Sequence, residues 1–351
     1  MKIEFMCSTD YLRQAESVKV VFSNSLPFSL AHGGVQTVVE ALMRELPKHG
    51  VDVEAERWED ASQRSDILHY FGRPFSVLPV RLAQAKGRRV VMTEYLDQTA
   101  SRGRGALWLQ RRLTRLAQVV MPGLVHRLAW DVYRELDAII YTTELEWRTA
   151  RYLFEARSDR GHIVPHGLEA SALSALGKSG VTGDYLISVA TIDPRKNSVR
   201  LARAAKAAKV PVVFLGKPYS EGSGYFSEFQ SLVDNRWVRY PGYVSEEVKH
   251  RMLREARGFV LGSEFESGCV AVYEAAAARL PLLLANRPWA RSGYPLDAEI
   301  AFVEPSSHGA FADGLRVFYE TAVRGSKMTF TVFSWGEIAE RYKRVYQAVR
   351  S

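Results

Sequence analysis

"SEFESGCVAVYEAAAARLPLLLAN", residues 263–286, reads as a loop, a helix and a strand in succession, and it follows the apolar run "GFVLGS". Glu266 closes the run, Gly268 gives the chain a flexible entry to the helix, and Glu274 stands among alanines about a turn and a half further on. Short, wholly apolar strands joined through amphipathic helices are the repeat unit of a parallel sheet covered by helices. Such sheets bind ligands beyond the carboxyl ends of their strands. Two carboxylates there, beside the amides of residues 267–270, are candidates to accept hydroxyl protons from a polyol. A capping acid and a surface acid are the plainer alternative.

The same unit recurs along the whole chain. The first half offers strands "KVVFS" (19–23), "VDVEAER" (51–57), "DILHYF" (66–71), "RRVVMT" (88–93), "DAIIYT" (137–142) and "HIVP" (162–165). A helix between the first two carries the stripe Val35, Val38, Val39, Leu42 and Leu46 at helical spacing. "MKIEFMC" at the start is a candidate extra edge strand. The Gly/Ser/Ala-rich stretch 166–184 reads as a linker. Alternation then restarts with "YLISVAT", "VPVVFLG", "WVRYPG", "GFVLGS", "LPLLLAN" and "IAFVEP". The closing "FSWGEIAERYKRVYQAVR" puts Ile338, Tyr342 and Val345 on one helical face. The expectation is α/β: two doubly wound domains in tandem, with the ligand site in the cleft between them.

Composition narrows the class. The chain has 351 residues, 47% hydrophobic and 25% charged, as an ordinary globular protein does. Asp10, Arg13, Glu16 and Lys19 interrupt any signal-peptide core, and no run of about 18 apolar residues suggests a span. Cys7 and Cys269 are too few for a disulfide framework and have no metal-ligand spacing. A cytoplasmic protein is expected. The formal net charge of +8 is concentrated: no acid stands between Asp97 and Asp131, where Arg102, Arg104, Arg111, Arg112, Arg115 and Arg127 fall. That segment also carries Trp108, Leu109, Leu113, Leu116, Val119 and Val120. Two readings stand side by side. In one, Arg111, Arg112 and Arg115 meet anionic lipid while Trp108 and Leu109 enter the headgroup region. In the other, helices near 105–120 and 122–135 pack their apolar faces on the sheet and the arginines are merely solvated.

Two further loops follow strands and precede helices. In "NSLPFSLAHGGVQ" (24–36), Gly33 and Gly34 stand before a helix whose free amides attract anions, or form a simple turn. In "VATIDPRKNSVRLARAA" (189–205), Arg195 and Lys196 are expected to open a helix. Cations are unfavourable there, a conflict that a bound anion would resolve unless both are solvated surface charges. Neither loop has the dinucleotide or Walker pattern, which disfavours a dehydrogenase or P-loop enzyme.

Taken together, these motifs resemble glycosyltransferase family 4, the retaining enzymes of the GT-B fold. "ESGCVAVYE" matches its E-x7-E signature, "DPRKN" its donor-phosphate loop, and "IVPHGLE" its inter-domain stretch. "YPGYVSEEVKHRMLREARGFVLGSEFE", "GGVQTVVEALMRELPKHGVDVE" and the closing helix also fit, so the likeness spans nearly the whole chain. It implies an acceptor-side domain at 1–165, joined by a returning helix at 333–351, and a nucleotide-sugar domain at 185–332 after the 166–184 linker.

The implied reaction transfers a hexose from a nucleotide sugar (GDP-mannose or a UDP-hexose) to a hydroxyl of a glycan or lipid-linked acceptor, in polysaccharide or glycoconjugate synthesis. Retention at the anomeric carbon and no metal or other cofactor are also implied. By the resemblance, Glu266 and the amides of Ser267, Gly268, Cys269 and Val270 would hold the donor sugar, and Glu274 the ribose. Lys196, with the Gly34 amide, would neutralise the leaving diphosphate; Tyr243 and Val244 would meet the base. Glu266 and Lys196 are thus the catalytic candidates.

Three departures qualify the match. Ala190-Thr191 replaces the family's Gly-Arg, leaving Arg195 to share the charge with Lys196. Ala271 replaces a proline. Tyr95 stands where the family has a histidine, so only Glu94 and Tyr95 remain as acceptor-side candidates. The implied location is cytoplasmic, peripheral on the inner membrane face where the arginine-rich segment meets lipid. The rival classes are a GT-B protein that binds a nucleotide sugar without transferring it, and a basic nucleic-acid-binding protein, which leaves the motifs after residue 184 unexplained.

Overall fold

The computed structural model describes residues 17–24, 28, 34–178, 180, 183–295, 298–325 and 327–350. The candidate edge strand at residues 1–7, Cys7 and Gly33 lie outside the described residues.

Two parallel sheets form the frame. The first has the order β2-β1-β3-β4-β5-β6, from β1 (Val18–Asn24), β2 (Val51–Ala55), β3 (Ile67–Phe71), β4 (Arg89–Glu94), β5 (Ala138–Tyr141) and β6 (Gly161–Ile163). β7 (Gly167–Leu168) lies between the two halves. The second sheet has the order β10-β9-β8-β11-β12-β13, from β8 (Leu186–Val189), β9 (Val212–Leu215), β10 (Val238–Gly242), β11 (Gly258–Leu261), β12 (Leu282–Ala285) and β13 (Ile300–Val303). Every residue of β3, β5, β9, β11 and β12 is buried. Helices cover both faces, which is why these strands read as continuous rather than alternating apolar runs.

In the second sheet the order reverses between β8 and β11. Loops leaving that point diverge to opposite faces and open a crevice at the strands' carboxyl ends. Thr191–Lys196 follow β8 and Glu264–Cys269 follow β11, so the topology itself brings the two motifs together.

The closing helix Trp335–Arg350 packs in the core of the first sheet, with Ile338, Tyr342, Val345 and Tyr346 buried beside Val20, Phe22, Val38 and Leu42. Its tyrosines end on a buried polar chain. His69 Nδ1 lies 2.6 Å from the Tyr346 hydroxyl, His69 Nε2 lies 2.9 Å from Thr93 Oγ1, and Thr93 lies 3.2 Å from the Tyr342 hydroxyl. Burial pushes the His69 imidazole down to about 3, keeping it neutral. In the unfolded chain the ring takes a proton near its ordinary value, so stability falls as pH drops from about 6.5 towards about 3. Tyr346→Phe should cost about 1–3 kcal/mol by orphaning a buried ring nitrogen, read as a lower urea midpoint with an unchanged slope. An unchanged midpoint would remove the chain from the account of how the helix is held.

Three expectations are corrected. The 166–184 stretch carries structure: β7 pairs in parallel with β14 (Phe333–Ser334), and helix Ala170–Leu176 buries Ala172 and Leu176 four residues apart. Its small residues hid an apolar stripe one helical turn long. The helix expected at 122–135 is two, Pro122–Arg127 and Val132–Glu135, parted where buried Ala129 takes the left-handed conformation (φ 50°).

The third correction concerns helix Arg104–Val120, which does not pack its apolar face on the sheet. Trp108, Leu113 and Leu116 are 54%, 56% and 59% exposed, and Leu109, Val119 and Val120 also face outward. Its inner side carries Thr114, fully buried, and Arg111, whose guanidinium carbon lies 4.4 Å from the centre of the Tyr152 ring, while half-exposed Arg115 reaches Glu155 at 3.2 Å. The helix is docked through Leu107 together with polar and cation–π contacts, and its outer apolar row is left uncovered. No helix of the described residues is long and apolar enough to cross a membrane.

Candidate functional site

The loop after β8 is shaped by its own polar residues. Asp193 Oδ1 accepts the Lys196 amide (3.0 Å), capping a single 3-10 turn, Pro194–Lys196. Asn197 then takes the left-handed conformation (φ 56°) and starts helix Ser198–Ala208. Its side-chain amide donates to the Gly262 carbonyl and to Glu264, each at 2.8 Å, and the Glu264 amide donates to the Arg195 carbonyl at 2.9 Å. The loops after β8 and β11 are thus stitched together.

This corrects the expected position of Arg195 and Lys196. They sit in the turn before the helix, where Glu266 partners both. Lys196 Nζ donates to Glu266 Oε1, and Arg195 donates to Glu266 Oε2 at 3.1 Å. Lys196 and Glu266 are both buried. Two cations thus share one carboxylate, and Asp193 stands on the same wall of the crevice.

After Glu266 the chain turns sharply. Gly268 has φ +57°, and a Cβ on it would lie 2.4 Å from Thr142 Cγ2 and 3.0 Å from His166 Cδ2, so glycine is required for both conformation and space. The bend carries residues 267–269 to the start of helix Val270–Ala277. His166 Nε2 lies 3.2 Å from the Ser267 carbonyl, and burial pushes its pKa down to about 4. The neutral ring therefore serves as the N–H donor to that oxygen. The Cys269 thiol is pushed up to about 11, chiefly by desolvation, and stays protonated.

A cavity of about 730 Å³ opens over these loops. Gly34, Thr191, Arg195, Lys196, Glu266, Ser267, Gly268, Cys269 and Val270 all line it, together with His166, Asp193 and Tyr219, which sequence reasoning left without a role. Gly34 begins the Gly34–Glu45 helix from the first half of the chain. Among the described residues, a Cβ there would meet nothing within 4 Å beyond its own chain neighbours and helix backbone. Packing therefore does not demand this glycine, whereas close approach of a ligand to its backbone would.

Tyr243 and Val244 line a second cavity of about 340 Å³, which shares Val189, Ala190 and Thr191 with the first. Lys217, whose ammonium lies 4.5 Å from the Tyr243 ring centre, and Lys249 complete that wall. Glu274 lies behind it, only 5% exposed, and bonds Lys249 at 2.7 Å. Burial raises the Glu274 carboxyl above its usual range, and Lys249 partly offsets this. Among the described residues, Glu246, His250 and Glu274 bring possible metal-ligating atoms within 4.8 Å of one another. The Lys249 ammonium bonds two of them, at 2.8 and 2.7 Å, and supplies the positive charge there.

Glu94 and Tyr95 lie at the end of β4, away from both cavity walls. Glu94 is buried, accepting the Tyr133 hydroxyl and the Tyr95 amide, the latter at 2.9 Å. Lys249 and His166 were visible in the motifs "SEEVKHRM" and "IVPHGLE", but nothing local marked them as partners of Glu274 and Ser267.

A parallel sheet on either side of a crevice, with cations, a carboxylate and helix N-termini facing it, has the GT-B architecture. Residues 177–327 match the family model "Glycosyl transferases group 1". Three solved structures share that fold over 95% of this chain. Sucrose-phosphate synthase from Thermosynechococcus elongatus superposes with a TM-score of 0.66, 15% identity and 99% of its own chain. Anabaena HepE in complex with UDP and glucose gives 0.61, 12% and 100%. WaaG, a glycosyltransferase involved in lipopolysaccharide biosynthesis, gives 0.55, 14% and 98%. No curated protein matches the sequence.

Proposed function

We propose that this enzyme moves a hexose from a nucleoside diphosphate sugar to a hydroxyl of a glycan or lipid-linked acceptor, with retention at the anomeric carbon. The observation that carries the reading is the Lys196–Glu266–Arg195 cluster at the sheet's reversal point, facing the Gly34 helix terminus across one cavity. The donor diphosphate lies between Lys196 and the Gly34 amide, the ribose near Glu274, and the base at Tyr243 and Val244. Residues 185–332 act as the donor domain; residues 1–165 and the returning 333–351 segment act as the acceptor side.

As the bond from the anomeric carbon to the diphosphate oxygen breaks, Lys196 and the amides stabilise the charge developing on the phosphate. The acceptor oxygen bonds the same face of that carbon, and its proton passes to the leaving phosphate. Glu266, committed to Lys196 and Arg195, aligns the sugar hydroxyls rather than attacking. The positive charge comes from side chains, so transfer should persist in EDTA. UDP-hexoses are the first donors to try, since HepE is seen with UDP and UDP-glucose, and GDP-mannose the next.

A panel of UDP, GDP and ADP sugars, read by thermal shift and by release of nucleoside diphosphate in EDTA, tests this. One nucleotide should raise the melting temperature and its sugar should turn over. Activity lost to EDTA and restored by Mn²⁺ would overturn the metal-free mechanism, and a panel without any shift would overturn the donor site.

The acceptor is best read as lipid-linked, because the 104–120 helix presents Trp108, Leu109, Leu113 and Leu116 outward in a segment rich in arginine and free of acids. Each basic residue near an anionic bilayer adds about 1 kcal/mol, and the apolar row adds insertion at the interface of the inner leaflet. Arg111 packs on Tyr152 and half-exposed Arg115 is paired with Glu155, so the apolar row should matter more than these two arginines. A Trp108→Ser/Leu113→Ser/Leu116→Ser variant should lose co-sedimentation with anionic liposomes, whereas Arg111→Gln should keep most of it. Equal sedimentation of wild type and triple variant would favour a soluble acceptor.

A further inference from the structure

One buried carboxylate is left unused by this account. Glu146 belongs to helix Glu144–Phe154 of the first sheet's domain, yet its Oε1 accepts the hydroxyl of Ser267, on the loop after β11, at 2.7 Å. The same oxygen accepts the Leu96 amide at 2.9 Å, while Oε2 accepts the Thr143 amide at 3.1 Å and closes the helix's capping box. Glu146 is nearly inaccessible to solvent. Thr142 against Gly268 and His166 on the Ser267 carbonyl complete a three-point grip on the residues that follow Glu266.

We propose that Glu146 is a positioning residue for the donor loop: by holding the Ser267 hydroxyl from the opposite domain, it fixes Glu266 and the 267–270 amides when the two halves meet. The inference rests on the transfer function proposed above. Capping the helix needs only Oε2, whereas Oε1 is spent on the start of another loop and on the other domain. The hydroxyl it grips is one residue from the carboxylate that holds Lys196. An error of about 1 Å in such a loop can cost about 100-fold in rate.

The grip is pH-sensitive through its surroundings. Desolvation pushes the Glu146 carboxyl up to about 7; the bonds from Ser267 and the Leu96 amide oppose this, and Glu94 adds to it. The other titratable groups near it are Tyr95 beyond β4, Tyr141 of β5 and Tyr273 of the 270–277 helix, with His166 on the opposite side of Ser267. If the halves part and water reaches Glu146, its pKa returns to about 4.3. The closed form then holds a proton that the open form releases. Closure weakens as pH rises from about 4.5 to about 7 and changes little above.

The test is amide hydrogen exchange over residues 263–270 in the whole protein at pH 5 to 8, corrected for intrinsic rates, for wild type, Glu146→Gln, Glu146→Ala and Thr143→Ala. Wild-type protection should fall between pH 5 and 7 and then level. Glu146→Gln should remove that pH dependence, and Glu146→Ala should lower protection at every pH. Thr143→Ala, which removes the cap hydroxyl and its bond to Oε2 but spares the Oε1 bond to Ser267, should leave the segment as in wild type. In steady state, Glu146→Ala should lower kcat tenfold or more, on the scale of ~100-fold for loop misplacement, while UDP affinity stays within about twofold. Exchange is read on the protein alone, so a wild type that transfers no sugar still leaves this arm decisive. Protection in Glu146→Ala equal to wild type, or Thr143→Ala matching Glu146→Ala, would return Glu146 to helix capping.

Discussion

Replacing Lys196 by alanine should lower kcat about 100-fold or more, the scale seen when a single preorganised stabiliser of developing charge is removed. Three features put this effect at the top of the range. Lys196 is buried, so water does not take over its charge. Glu266 holds the ammonium in place before donor binds, so little reorganisation is needed. Thr191 offers no second cation on the β8 loop, and Arg195, the remaining one, is about one-third exposed and tied to Glu266 and to the Phe265 carbonyl. Removing Lys196 also leaves Glu266 short of one partner, with its negative charge beside the site of the leaving diphosphate. Single-turnover rates with saturating donor give the measurement. A variant within about threefold of wild type would show that the leaving group is stabilised elsewhere, since 0.65 kcal/mol of barrier is far below what this role requires.

Glu274→Ala should act on binding rather than turnover. A charged acceptor of ribose hydroxyls is worth about 1.5–3 kcal/mol, so the Kd for the cognate nucleoside diphosphate should rise about 10- to 150-fold. The structure adds a second consequence. Lys249 is bonded to Glu274 and to the largely exposed Glu246, and with Glu274 gone only the exposed partner remains. Thermal stability should therefore drop as well, while Glu246→Ala should spare both affinity and stability. Because burial raises the Glu274 carboxyl, its protonation removes the charged acceptor at low pH, and nucleotide affinity should weaken as pH falls. Calorimetric titration of the wild type and both variants separates the outcomes. Unchanged nucleotide affinity in Glu274→Ala would remove that residue from the site.

What could be read along the chain was whatever depends on neighbours in sequence. The strand cores were legible because strands buried on both faces must be apolar throughout, as in "AIIY" and "LLLA". The second carboxylate's place was legible because an eight-residue spacing across a glycine turn carries it into a helix. The closing helix announced its buried face through Ile338, Tyr342 and Val345. Short elements built of small residues, such as Ala170–Leu176, gave too little periodicity to rise above a linker.

The tertiary structure decided the partners. Amphipathicity revealed two sides of the 104–120 helix, but which side met the protein depended on Tyr152 and Glu155, forty residues away, which offered a ring and a carboxylate to Arg111 and Arg115. Arg195 and Lys196 looked like cations awaiting an anion; the sheet reversal between β8 and β11 set Glu266 against them, seventy residues on. The capping box of Glu146 is local, while its bond to Ser267 exists only once two separately wound sheets face each other. Periodicity and turn chemistry act over a few residues and are written in the sequence. Charge pairing across a cleft depends on which chain segments the topology makes neighbours, and that emerges only in the folded molecule.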